Sequence, residues 1–303
     1  ADASAKYLKK LLKEEKPFFF AIGFIKPHLP FVAPKRYWDL FDRREFEVHP
    51  FQRMARNSPA FAYQDCWELR GGYGGIPKGP IPEAMQLDLI HGYHACVSFV
   101  DAQVGKLLDA LDEEGQLEST IIVLWGDHGW HLGDHGMFCK HTNFEQATRS
   151  PLIISTPRAR AKGKSSAAPV EFVDIFPTLC DAAGLEIPKN LEGTSLVPIL
   201  NDPDASVKKA AISQYPRSRD REELMGYSYR SRRHRYTVWV QKDFRKDEMG
   251  GTIVARELYD YEKDPMETVS QVDNPEYAEV VRRFEILHAG GWKACRSRDA
   301  VDW

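Results

Sequence analysis

The run Gly126-Asp127-His128-Gly129-Trp130-His131-Leu132-Gly133-Asp134-His135-Gly136, with Lys140 and His141 just beyond it, constrains this chain more than any other stretch. Directly upstream, Thr120-Ile121-Ile122-Val123-Leu124-Trp125 is β-branched, apolar and of the length of a buried parallel strand, so the Asp-His pair is expected at that strand's C-terminal end. Open α/β sheets bind their ligands there. Asp127 offers a carboxylate, His128 and His135 offer imidazoles, and the glycines let the backbone turn sharply beside a bound ion. The same residue types also build ordinary turns. Density argues for more: four histidines, two aspartates and a lysine fall between Asp127 and His141, a concentration of ligand and anion-binding groups that a solvated loop does not require. The stretch reads as half of a metal site.

A second strand-like run, Phe18-Phe19-Phe20-Ala21-Ile22-Gly23-Phe24, follows a charged amphipathic helix pattern over residues 1–16 and a break at Pro17. It is expected as another buried strand. It leads into Lys26-Pro27-His28-Leu29-Pro30, where prolines would hold a basic residue and an imidazole in place; a proline-rich surface turn is the alternative. Residues 34–79 are irregular, aromatic and glycine-bearing, a surface excursion whose ligand-facing members cannot be read. Ile81-Pro82-Glu83 then opens a long helix with apolar residues at Leu89, Tyr93, Val97, Val100, Val104, Leu107, Leu108 and Leu111. His91 and His94 on that helix are expected to be structural.

After the Asp-His loop, residues 143–148 read as a short helical stretch, 151–155 as a strand and 171–184 as a helix closed by Gly184. Strand-like runs recur at 210–215, 225–230, 236–240 and 257–261, which predicts a small antiparallel sheet. Residues 275–288 form a closing helix pattern, and the tail to Trp303 is expected to be loosely held. The organisation expected is α/β: a doubly wound sheet over residues 1–204 and a smaller α+β domain over 205–303.

Composition excludes some classes of function. The 41 basic and 44 acidic residues leave a formal charge of −3, so nothing draws the chain generally to nucleic acid or to an anionic membrane. Its longest apolar runs are too short to cross a bilayer, and residues 1–16 read as a charged amphipathic helix and not as a signal peptide, so the chain is expected to start mid-protein or as a mature product. The five cysteines, Cys66, Cys96, Cys139, Cys180 and Cys295, lie far apart without metal-site pairing, and they do not identify a compartment.

Lys26-Pro27-His28-Leu29-Pro30-Phe31, Gly126-Asp127-His128-Gly129-Trp130, Gly133-Asp134-His135-Gly136 and Lys140 resemble the type I sulfatases of the alkaline-phosphatase superfamily. Ser213-Gln214-Tyr215-Pro216-Arg217 and Met225-Gly226-Tyr227-Ser228 are most similar to the iduronate-2-sulfatase branch, and residues 172–184 and 257–268 also match late segments of the family. The resemblance implies an alkaline-phosphatase-like fold and hydrolysis of a sulfate ester on a sulfated sugar or glycosaminoglycan, such as a 2-sulfated uronate. It implies a calcium ion, with Asp127 and His128 as ligands, and a formylglycine nucleophile made from a cysteine in Cys-x-Pro-x-Arg. Lys140 and His28 are carried over as the groups on the sulfate, His28 as proton donor to the leaving alcohol. Lys26, Trp130, His131, His135 and Arg217 are carried over as substrate-facing residues. The physical logic agrees, because an anionic ester with a poor alkoxide leaving group needs cationic clamps and an acid at the bridging oxygen.

Two family features are absent. None of the five cysteines is followed by Pro and Arg at the required spacing, no serine version exists, and the early strand with paired aspartates is missing. The expectation is therefore a C-terminal portion of a sulfatase, whose partner is the N-terminal part of the same fold, which leaves a sheet edge exposed and which does not turn over sulfate esters alone. A phosphate or phosphonate ester hydrolase and a non-catalytic binder of sulfated glycans are the competing readings. The resemblance implies an exported or lysosomal parent protein.

Overall fold

The computed structural model describes residues 1–14, 16–219, 222–242 and 251–296; the tail expectation beyond residue 296 lies outside them. In chain order the main elements are α1 (Asp2–Leu12), α2 (Lys35–Trp38), α3 (Trp67–Gly72), α4 (Glu83–Glu113), β1 (Ile122–Trp125), β2 (His131–Leu132), β3 (Phe138–Cys139), α5 (Glu145–Thr148), β4 (Leu152–Ser155), α6 (Ile175–Ala182), α7 (Val197–Asn201), β5 (Ala211–Arg219), β6 (Glu222–Arg230), β7 (His234–Gln241), β8 (Thr252–Asp260) and α8 (Ala278–Cys295). They divide into two compact units, residues 1–52, 65–120 and 132–139 in the first and 53–64, 121–131 and 140–303 in the second. The expected boundary near residue 205 falls inside the second unit, just ahead of β5.

In the first unit α4 is the spine. Of the apolar positions expected along it, Leu89, Leu107 and Leu111 are buried, Tyr93, Val100, Val104 and Leu108 are half-buried and Val97 is exposed, while Ile90, Ala95 and Ala110 also enter the core; α1 is held along the helix by ion pairs from Lys9 to Glu113 and from Lys106 to Asp2. Gly92 permits close packing here: a Cβ there would lie 2.9 Å from both Phe31 and Trp38. His91 and His94 are structural as expected, for His91 Nε2 lies 2.9 Å from the Trp38 carbonyl and His94 Nδ1 2.9 Å from that of Ile90. The run 18–24 corrects the expectation of a buried strand. It forms no strand among the described residues, and Phe19 is 81% exposed; apolar composition marks extended backbone but does not supply a hydrogen-bonding neighbour.

In the second unit β1 pairs with β4, Ile122 opposite Ser155 and Trp125 opposite Leu152. The pair is antiparallel, not the parallel arrangement expected, and Trp125 is 47% exposed. Apolar runs of this length carry no information about the direction of the partner. The strands β5, β6, β7 and β8 form the expected antiparallel sheet, in that order. One face packs Tyr227, Tyr229, Tyr236, Val238 and Leu258 against Phe284 and Leu287 of α8, with Tyr236 and Phe284 stacked at 5.5 Å. Each such large apolar side chain contributes roughly 1.5–3 kcal/mol by leaving water.

The other face of β7 carries Arg235, Thr237 and Trp239, displaced by one residue along the pleat. All three are buried yet hydrogen-bonded: Arg235 to Glu267 and Thr237, Thr237 to Ser228, and Trp239 Nε1 to Glu257 at 2.8 Å. Upstream, Glu171 and Asp174 form a reciprocal capping box ahead of α6, and Gly184 takes the left-handed φ of +73° that stops the helix.

Candidate functional site

The loop after β1 is tied down on both sides. Gly126 N–H donates to the Pro151 carbonyl at 3.1 Å, Ser150 Oγ donates to the carbonyls of Gly126 (2.6 Å) and His128 (3.2 Å), and Gly129 N–H donates to Ala147 at 2.8 Å. Gly129 has to be glycine, because a Cβ would sit 2.0 Å from the Gln146 carbonyl oxygen. The loop thereby presents Asp127 and His128 side by side.

His128 Nδ1 lies 2.7 Å from the Gly129 carbonyl. A carbonyl only accepts, so Nδ1 carries a hydrogen and Nε2 is the nitrogen turned towards Asp127. Nε2 lies 3.6 Å from Asp127 Oδ2, on a carboxylate whose side chain is 88% exposed. With Nε2 deprotonated, the carboxylate oxygen and the imidazole nitrogen are two adjacent donors for a cation. The pair falls short of a whole site: no cluster of three or more His, Cys, Asp or Glu among the described residues could hold a metal, and calcium takes about 6–8 oxygen ligands. Of the pair, the Asp127 carboxylate is the kind of donor calcium takes, and the His128 nitrogen is a softer one.

Trp130 packs against this pair, its ring centroid 5.7 Å from that of His128. The Lys140 ammonium lies over the same indole, 4.9 Å from its centroid. Asp127, His128 and Lys140 line one cleft of about 960 Å³, together with Tyr215 and Arg230. The structure therefore groups Asp127, His128, Trp130 and Lys140.

In the first unit, His28 sits in its proline-framed loop with Nδ1 2.7 Å from the Leu29 carbonyl and Nε2 3.1 Å from Glu68 Oε1. Both ring nitrogens face acceptor oxygens, which fix the orientation of the imidazole. Lys26 Nζ donates to the carbonyls of His28 (3.1 Å) and Pro30 (2.5 Å), so it shapes the loop.

Three residues expected to face substrate are placed otherwise. His131 is fully buried and its Nε2 lies 2.7 Å from Thr142 Oγ1, leaving no imidazole surface for a sugar. His135 is also buried, in a left-handed conformation with φ 53°, its ring edge-on to Phe51 and Nδ1 3.5 Å from Asp134. Arg217 points into backbone, donating to the carbonyls of Phe61 (2.8 Å), Ala62 and Pro216 (3.1 Å each) and His141. Each of these polar groups is satisfied within the protein, which is what burial demands of it.

Sequence reasoning did not single out Glu68 or Ser150. Glu68 stands in the irregular segment, 40 positions from the histidine it faces, and Ser150 acts through its hydroxyl on a loop more than 20 residues away. Neither leaves a local pattern.

A family model described as sulfatase matches residues 1–185, and one described as N-sulphoglucosamine sulphohydrolase, C-terminal, matches residues 133–288. The chain is 34% identical to iduronate 2-sulfatase of Homo sapiens over 327 aligned residues, covering 86% of this chain and 59% of that protein. It is 36% identical to N-acetylglucosamine-6-O-sulfatase of Bacteroides thetaiotaomicron over 192 residues, 61% of this chain and 32% of that one. Among solved structures, one in complex with its substrate D-glucosamine-2-N,6-O-disulfate superimposes with a TM-score of 0.75 at 23% identity, over 99% of this chain and 70% of that one. Phosphonate monoester hydrolase of Agrobacterium radiobacter gives 0.73 at 24%, over 93% and 58%. These structures bear out the expected α/β, alkaline-phosphatase-like fold, while the chain spans only 59% of the length of its human relative. On the matched models and the identity to a curated relative, the chain belongs to the sulfatase family.

Proposed function

We propose that the protein containing these 303 residues hydrolyses sulfate esters of sulfated sugars, with a 2-sulfated uronate as the preferred substrate. The observation that carries the reading is the grouping of Lys140, Trp130, His128 and Asp127 around one loop in a chain of this family. The identity to iduronate 2-sulfatase supports the choice of sugar.

In this reading Lys140 binds a sulfuryl oxygen and offsets the charge that grows there as the ester bond breaks. Trp130 holds the ammonium by its π face. Asp127 and His128 would hold a calcium ion, which supplies positive charge against the sulfate oxygens when bound. By the family's pattern, His28 gives its proton to the departing sugar oxygen, and Glu68 keeps the ring oriented for that transfer. The nucleophile, a formylglycine, and the remaining metal ligands come from a segment outside these 303 residues, because no Cys-x-Pro-x-Arg occurs within them.

The test is turnover by the full-length gene product of a panel containing 2-sulfated uronate disaccharides, 6-sulfated glucosamine, aryl phosphate and aryl phosphonate. Preference for the sulfated uronate supports the proposal. Preference for a phosphorus ester overturns the reaction class, and tight binding of sulfated sugar without turnover makes the protein a binder.

A further inference from the structure

We propose that Tyr215 and Arg217, two residues of β5, are positioning residues for Lys140 and act through His141; the inference rests on the reading of Lys140 as the sulfate-binding cation.

Residues two apart on a strand project from the same face, and here both reach His141. Tyr215 OH lies 2.8 Å from His141 Nδ1, with the two rings 5.7 Å apart. Arg217 Nη2 donates to the main-chain carbonyl of His141, and its guanidinium lies 4.7 Å over the Tyr215 ring. The guanidinium is fixed in turn by the carbonyls of Phe61 and Ala62. His141 is thus gripped at its side chain and at its backbone.

His141 needs that grip. Its φ is +39°, in the left-handed region that a residue with a Cβ adopts only when its surroundings impose it. The carbonyl so held belongs to the His141–Thr142 peptide, one residue beyond Lys140, and fixing both it and the ring fixes the Cα to which Lys140 is joined. Lysine has a long, flexible stem and a compact charge, so the direction of its backbone and the indole beneath its ammonium decide where that charge rests. The indole is in place through Trp130; β5 supplies the backbone constraint. This also accounts for Arg217, which resembles a substrate-facing residue in sequence but spends its hydrogen bonds on carbonyls.

The test uses the full-length gene product and steady-state hydrolysis of an aryl sulfate by Tyr215→Phe, Lys140→Ala and the double variant. Tyr215→Phe keeps the ring and the stacking and removes only the hydroxyl. A small displacement of a clamping group costs up to about a hundredfold in rate, so a loss in kcat of about tenfold with KM little changed is expected. In the Lys140→Ala background the same substitution should change nothing further, because two changes acting on one interaction are not additive. His141→Asn, which tolerates a left-handed backbone and retains an acceptor for the tyrosine, should keep more activity than His141→Ala. Equal losses from Tyr215→Phe in both backgrounds, or none in either, would overturn the positioning role while leaving Lys140 as assigned. Full activity of Lys140→Ala would instead overturn the reading beneath it. Should Tyr215→Phe not fold, the contrast between His141→Asn and His141→Ala decides, equal activity of the two being the contrary result.

Discussion

Gly129 shows how a single atom sets the geometry of the Asp127–His128 pair. Its amide reaches the Ala147 carbonyl only because no Cβ stands between the loop and α5, where the nearest oxygen would be 2.0 Å away. Gly129→Ala is therefore expected to cost about 3 kcal/mol and to displace His128 from its 3.6 Å approach to Asp127. Urea unfolding reads the first effect. An unchanged midpoint would mean that the loop moves freely away from α5. At this scale the sequence was informative about residue type and silent about partners. Asp127, His128 and Lys140 stand out by density and line one cleft, with Trp130 packed against His128 and Lys140. His131, His135 and Arg217 stand out equally, yet their destinations are Thr142, Phe51 and the carbonyls of residues 61–62. A motif identifies polar side chains; which of them turn inward depends on acceptors elsewhere in the chain.

Among elements, β7 works hardest. It is buried on both faces, one by α8 and the other by a hydrogen-bonded polar layer centred on Arg235 and Glu267. Arg235 lies between the rings of Phe144 and Tyr259, at 4.8 and 4.7 Å, and Glu267 accepts the first amide of α5 at 3.2 Å. The ion pair thus anchors the helix that backs the Asp127–His128 loop. Removing one partner strands a buried charge, so Glu267→Ala should cost about 3–5 kcal/mol in urea unfolding, whereas Arg235→Met with Glu267→Leu should recover much of it. A loss below about 1 kcal/mol for the single change would show that water reaches the site.

The same sheet gives a pH dependence. Burial pushes the imidazoles of His234 and His288 below their ordinary range; Asp260 pulls His234 the other way while Arg233 and Arg230 add to the fall, and Arg256 adds to it for His288. The unfolded chain takes up these protons near pH 6.5 and the folded chain resists them, so stability falls as pH drops below about 6.5. The urea midpoint should be lower at pH 5.5 than at pH 7.5, and a midpoint that rises would reverse the assignment. Elements were legible to different depths for physical reasons. The spacing of apolar residues located α4 nearly end to end, whereas the strand-like runs marked only 211–215, 225–230, 236–240 and 257–260 of β5 to β8, the remaining residues of β5 to β7 being more polar. The direction of β1 and the absence of a strand at 18–24 depend on a neighbour, which an apolar run does not encode.

At the scale of the molecule, the fold follows from motifs in their right order along the whole chain, which is why the family was legible before any single residue's role was. The net charge of −3 means that a polyanionic sugar gains nothing from the overall field and depends on cations held locally. Lys140 is one such cation at the Asp127–His128 loop. In the proposed mechanism calcium is the other, so chelation of the full-length protein should abolish turnover and added calcium should restore it; activity indifferent to chelator would remove the metal from the account. The most direct test of the central claim is kcat/KM for a 2-sulfated uronate substrate with the full-length protein and its Lys140→Ala variant. A loss of about a hundredfold to a thousandfold, mainly in kcat, is the result expected of a cation that stabilises developing charge on the sulfate. Equal turnover by both proteins, or none by either, would contradict it.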